Sequence, residues 1–307
     1  MKAFIEEIGN KLGFSRRDLI EKDILLHGLL RYLSQNSFFK DNFLFKGGTC
    51  LIKSYLDYYR FSEDIDFTWY NQDIFIDHSQ KWIRRFLSGI IEEIGLFLEE
   101  SNMDFNMNKS NRNYVELTGS NKTVTFKLWY NSEVLGYKSF IKIQINFVEK
   151  ILFPPVERKM RSLLSREKLR EVEEFFPGEF REYQEDVSLL AYDIREILCE
   201  KIRSILTRRE SKARDFIDIY LISKKYGLKI TDLKQSILDK TRFILRLYNR
   251  YRENLKNKRG LLKEKKLFRW SEEEYLLLRE IDKRDLYEFI NSINEDLINI
   301  LYELEVF

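Results

Sequence analysis

The chain has 307 residues, 44% of them hydrophobic and 34% charged, with a net charge of +3. That apolar content supports a folded core and excludes a disordered chain, while three Pro and 12 Gly exclude a linker-rich or collagenous one and favour long helices. Two Cys, far apart at positions 50 and 199, and two His exclude a disulfide framework and leave almost no zinc chemistry, so a metal here needs oxygen ligands, as Mg²⁺ or Mn²⁺ does.

Two helices are predicted to open the chain, over residues 4–12 and 17–34, the second with Ser15 as N-cap and with Glu21-Lys22-Asp23 in its first half. A short apolar strand, Phe43-Leu44-Phe45, ends in Lys46-Gly47-Gly48-Thr49, and residues 50–59 read as a helix. Alternation in Ser62-Glu63-Asp64-Ile65-Asp66-Phe67-Thr68-Trp69 predicts a strand, and residues 79–99 an amphipathic helix. The period then changes to two, with strands expected at 103–107, 114–117, 123–129 and 139–148. Beyond Pro154-Pro155 the chain reads as mostly helical, with Pro177-Gly178 as its clear break. The expectation is an α+β protein with an N-terminal mixed-sheet domain over 1–153 and an α-helical domain over 154–307. The longest apolar stretch, residues 24–30, is interrupted by His27 and is far short of the ~20 residues that span a membrane. The acidic start of the chain does not resemble a signal peptide, so a cytoplasmic location is expected, with no membrane partner.

Lys46-Gly47-Gly48-Thr49 and Asp64-Ile65-Asp66 carry the chemistry. Two glycines between a strand and a helix let the backbone come close to a phosphate, and the amides at the helix start face it. Residues i and i+2 of a strand point the same way, so Asp64 and Asp66 present two carboxylates to one place. Carboxylates beside a phosphate cradle are what a Mg²⁺–nucleotide site requires. The order of these pieces, with a single helix between them, is more specific than either piece alone.

This arrangement resembles the DNA polymerase β-like nucleotidyltransferase superfamily. The longer string, Glu21-Lys22-Asp23, Phe45-Lys46-Gly47-Gly48-Thr49 and Arg60-Phe61-Ser62-Glu63-Asp64-Ile65-Asp66, resembles its AbiEii/AbiGii branch, toxins of abortive-infection and toxin–antitoxin systems, some of which add nucleotides to tRNA. A second match, Glu196 to Lys201 followed by Arg208 and Arg214-Asp215-Phe216-Ile217-Asp218, lies downstream. The resemblance implies that Asp64 and Asp66 bind the metal, and that Lys46, Gly47, Gly48, Thr49 and Ser62 surround the triphosphate. It also implies that Lys201 neutralises phosphate charge, and that Asp215 or Asp218 completes the site. Superfamily members carry a third carboxylate on a later strand; here the residue at that place is Gln144, an amide that can ligate a metal but cannot take a proton.

The implied activity is metal-dependent transfer of a nucleoside monophosphate from an NTP to an acceptor, with the 3′ end of an RNA such as tRNA as the expected acceptor and an antitoxin as a further partner. Transfer to a small molecule or a protein, and nucleotide or RNA binding without transfer, stand as alternatives. Residues 242–269 hold 11 Lys/Arg against two acids, interleaved with aromatics, and Arg246, Arg250 and Lys258 are the expected grip on RNA. A solvated helix face is the competing explanation of that block.

Overall fold

The computed structural model describes residues 1–165, 169–270 and 272–305. Helices α1 (Lys2–Leu12), α2 (Arg17–Gln35) and α3 (Ser37–Asn42) come first; strand β1 (Phe43–Lys46) then runs into α4 (Gly47–Cys50), which continues as a π-helical stretch over Leu51–Leu56. Strand β2 (Asp64–Trp69), helix α5 (Gln80–Glu99) and strands β3 (Val115–Thr118), β4 (Thr123–Asn131), β5 (Lys138–Asn146) and β6 (Val156–Met160) follow. Next come α6 (Val172–Phe175), α7 (Pro177–Gln184) and β7 (Val187–Ala191), and then the helices α8 (Ile194–Thr207), α9 (Ala213–Tyr226), α10 (Lys234–Leu247), α11 (Asn249–Lys263) and α12 (Lys283–Glu305). Among the described residues no helix is long and apolar enough to cross a membrane.

The protein is a mixed α/β structure; among the described residues seven strands form one sheet in the order β3-β4-β5-β2-β1-β7-β6. The β2–β5 and β1–β7 pairs are parallel and the others antiparallel. Three local expectations change. Ser15 is not the cap of α2; Arg16 holds that position without a side-chain cap, and its guanidinium binds Asp18 in the first turn at 2.8 Å. The strand expected at 103–107 reduces to one bridge, Asp104 with Trp129. The segment beyond Pro155 contains two strands, β6 and β7, rather than helices alone.

The chain divides into two compact units, Met1–Val148 with Pro155–Ala191, and Glu149–Pro154 with Tyr192–Phe307. The sheet unit thus reaches beyond the expected boundary at 153, because β7 returns to pair with β1 at Phe45 and Ala191. Residues 149–154 belong to the helical unit for an electrostatic reason. Glu196 of α8 accepts the Leu152 and Phe153 amides at 2.8 and 2.9 Å, and Lys240 of α10 binds Glu196 at 2.6 Å and the Lys150 carbonyl at 2.8 Å. Lys240 and Glu196 are fully buried, so this pairing compensates charge that would otherwise be expensive to bury.

In the sheet unit, period two separates the faces. Phe45, Phe67, Ile145 and Val124 form one row across four strands, with Ile65, Ile143, Phe126 and Val115 beside it, all buried. Phe39 of α3 stacks on Phe43 at 4.5 Å and meets Phe67 edge-on at 4.6 Å. Helix α5 buries the stripe Ile83, Leu87, Ile91, Ile94 and Leu98. The opposite face of the sheet is polar and carries Lys46, Asp64, Asp66 and Gln144.

Candidate active site

Lys46 ends β1, directly opposite Asp66 of β2. The chain then turns at Gly47, whose φ of +77° lies in the left-handed region that glycine enters without strain. A Cβ at Gly47 would run into the Asp66 carboxylate, and one at Gly48 would stand 2.8 Å from Arg60 Nη2 and 3.2 Å from Ser62 Oγ. The two glycines therefore bring the backbone against the first carboxylate strand, and no other residue type fits without displacement. No side chain of the N-cap residue, Lys46, caps the helix that starts here.

Thr49 closes the turn from inside. It is 1% exposed, and its hydroxyl donates to the Asp64 carbonyl and lies 2.9 Å from Ser62 Oγ. A hydroxyl has one proton, so Thr49 ties the turn to the start of β2. Arg60, 2% exposed, supports the same corner and donates to the Phe61 carbonyl at 2.8 Å. Its position in the motif string was the available signal for that role.

Register defines the rest. Lys46, Asp66, Gln144, Thr125 and Glu116 form one row across five strands, and Asp64, Lys142 and Lys127 form the next. Asp64 and Asp66 are both half-buried on this face. Gln144 stands directly beside Asp66. The other acid of that row, Glu116, lies at the far edge and pairs with Lys127 at 3.3 Å. No group of three or more His, Cys, Asp or Glu arranged to hold a metal occurs among the described residues. Two carboxylates on one face nevertheless fit Mg²⁺, which binds through one or two carboxylates and completes its shell with water and substrate phosphates.

The downstream residues gather within the helical unit. Lys201 of α8 binds Asp215 Oδ1 at 2.8 Å and Asp218 Oδ2 at 2.6 Å, both on α9, and Arg208 binds Asp215 Oδ2 at 2.9 Å. Burial pushes the Asp215 carboxyl up, but Lys201 and Arg208 outweigh it and hold the group below the usual carboxylate range. In the basic block, Lys258 is 1% exposed and donates to the Arg209 carbonyl at 3.2 Å and to Ser211 Oγ at 2.8 Å. It is thus a buried tether and not a surface contact, because its amphipathic position on α11 turns it inward. Arg246 and Arg250 are exposed, and the Arg250 guanidinium lies over the rings of Tyr248 and Tyr251 at 5.6 and 4.9 Å.

No match is found among the curated proteins. Two solved structures are similar to the chain, each at 16% identity over 95% of its length: JHP933 from Helicobacter pylori, 98% covered with a TM-score of 0.40, and a protein titled "putative nucleotidyltransferase from H. pylori", 99% covered with a TM-score of 0.43. The family described as "Nucleotidyl transferase AbiEii toxin, Type IV TA system" matches residues 29–298. The chain belongs to this AbiEii family and is a nucleotidyltransferase.

Proposed function

We propose that the 3′-hydroxyl of an RNA, with tRNA as the acceptor class, attacks the α-phosphate of an NTP, giving up its proton to solvent, so that the nucleoside monophosphate is joined to the RNA and pyrophosphate is released, in a reaction that requires Mg²⁺ or Mn²⁺. The observation that carries this reading is the pair Asp64 and Asp66, side by side on the sheet face that the Gly47-Gly48 turn approaches. Asp64 and Asp66 would hold the metal, which supplies charge stabilisation at the reacting phosphate. Lys46 and the amides of Gly47 and Gly48 bind the remaining phosphate charge, and positioning with electrostatics supplies most of what such a transfer needs. Gln144 orients groups beside Asp66 through hydrogen bonds but removes no proton.

Lys201, Asp215 and Asp218 are assigned to the same reaction on the motif alone. The exposed Arg246 and Arg250, with Tyr248 and Tyr251, support an RNA acceptor, since cations and aromatic rings together suit a flexible polyanion with stackable bases. The family's type IV toxin–antitoxin description supports an antitoxin as the protein partner. The test is incubation of the protein with α-labelled NTPs and total RNA. Label is expected in a discrete RNA band, dependent on added metal and absent with Asp64→Asn. Label in protein or in a small molecule would reassign the acceptor, and no label anywhere would refute transfer.

A further inference from the structure

The triplet Glu21-Lys22-Asp23 on α2 is remote in sequence from the carboxylate strand, and nothing in the transfer chemistry above uses it. Successive residues of an α-helix point about 100° apart, so three in a row reach three different neighbours. Glu21, 2% exposed, accepts hydrogen bonds from the Ser132 hydroxyl and from the Glu133 amide at 2.7 Å, in the connection that leads into β5 and Gln144. Lys22 binds Glu63 at 3.1 Å, one residue before Asp64. Asp23, 2% exposed, binds Lys53 at 3.0 Å and accepts from the Tyr58 hydroxyl at 2.9 Å and from the Tyr183 hydroxyl. Lys53 sits on the helical stretch that leaves the glycine turn.

We infer that Glu21-Lys22-Asp23 is a positioning element for the nucleotide site, with Lys22 setting the carboxylate strand through Glu63. This rests on the reading of Asp64 and Asp66 as the metal-binding pair. Each arm of the triplet holds a segment that carries a site residue: the approach to Gln144, the start of β2, and the helix behind Gly47 and Gly48. Burying Asp23 against Lys53 is a poor way to gain stability, because desolvation consumes most of what the pair returns. What a buried pair with fixed geometry does supply is one arrangement of the parts it joins. Lys22 is 16% and Glu63 31% exposed, so their pair adds little to stability and acts on the direction of the chain entering β2.

The test is a charge swap. Lys22→Met and Lys22→Glu are expected to weaken Mg²⁺·NTP binding, read by calorimetry with each of the four NTPs, by about tenfold, as loss of a group that orients metal ligands does. The Mg²⁺ concentration giving half-maximal transfer is expected to rise by a similar factor, while the melting temperature moves by no more than about 4 °C. Lys22→Arg should bind as the unaltered protein does, and the double variant Lys22→Glu with Glu63→Lys should recover most of the affinity. A merely structural role predicts loss of affinity only in step with a fall in melting temperature and no change in metal dependence; that result, or no recovery in the swap, overturns the inference. Asp64→Asn, measured alongside, separates the two readings. If it abolishes transfer while Lys22→Met binds normally, only the positioning role falls; if Asp64→Asn transfers normally, the site assignment falls and takes the positioning role with it.

Discussion

Asp64 and Asp66 stand half-buried on a polar sheet face, whereas Asp215 and Asp218 are 2% and 0% exposed and already bound by Lys201 and Arg208. Both pairs come from short acidic motifs, and both were expected in the site. The difference is one of compensation. In the sheet unit both carboxylates are half-exposed, so an incoming cation can reach them from solvent. In the helical unit the charges are matched inside the protein, and removing one takes away part of its partner's compensation.

The same substitution placed in the two regions should therefore break different properties. Asp218→Asn is expected to cost about 3–5 kcal/mol of stability, because Lys201 then loses half of its buried compensation. Asp64→Asn should change stability by no more than about 0.5 kcal/mol while removing transfer activity. Chemical denaturation paired with a transfer assay reads both, and equal stability losses at the two sites would erase the contrast.

Acid should separate the regions by pH. Burial, and then the nearby Lys53 charge, push the His27 imidazole down to about 4 from 6.5. The folded protein keeps this ring neutral while the unfolded chain protonates it near 6.5, so the stability it confers is complete above pH 6.5 and is lost as pH falls toward 4. The loss is roughly 3 kcal/mol. Asp215 has a depressed pKa, so its contribution persists above 3.8 and is lost only below that value. Denaturation at stepped pH should show the sheet unit weakening first, and His27→Gln should flatten its dependence between pH 6.5 and 4.

Gly47→Ala tests the close approach behind the sheet carboxylates. A positive φ with a side chain, plus the encounter with Asp66, should cost about 1–3 kcal/mol and abolish NTP binding, measurable by calorimetry. The smallest effect is expected at Gln144. Replacement by Ala should change stability by under about 0.5 kcal/mol and lower activity only modestly. A gain in Gln144→Glu would mark the natural row as short of one carboxylate.

Much of the sheet unit was legible because its signals are local. The glycine turn, the alternation in 64–69 and the period-two strands 123–131 and 138–146 each follow from residues in direct succession. Period two put Gln144 on one face of its own strand, but its register beside Asp66 comes from the pairing of β2 with β5. β6 and β7 were not legible. Val156-Glu157-Arg158-Lys159-Met160 carries three charged residues in an edge strand, and Val187-Ser188-Leu189-Leu190-Ala191 is too short to separate from a helix without its partners. The inward turn of Lys258 and the three arms of Glu21-Lys22-Asp23 depend on contacts between distant segments, which composition and spacing do not encode.

The chain passes between its two units at residues 148/149, 154/155 and 191/192, and this bears on how the protein is made. A ribosome releases the chain from its N-terminus at about 5–20 residues per second. β1, which ends in Lys46, has β2 available early on one side, but its other edge waits for β7 at 187–191. Over that interval the growing chain offers an open hydrogen-bonding edge along β1, beside Lys46. A nascent toxin thus carries Asp64 and Asp66 well before the sheet that frames them is closed, and a polypeptide that recognises this edge would meet the protein before its fold is complete.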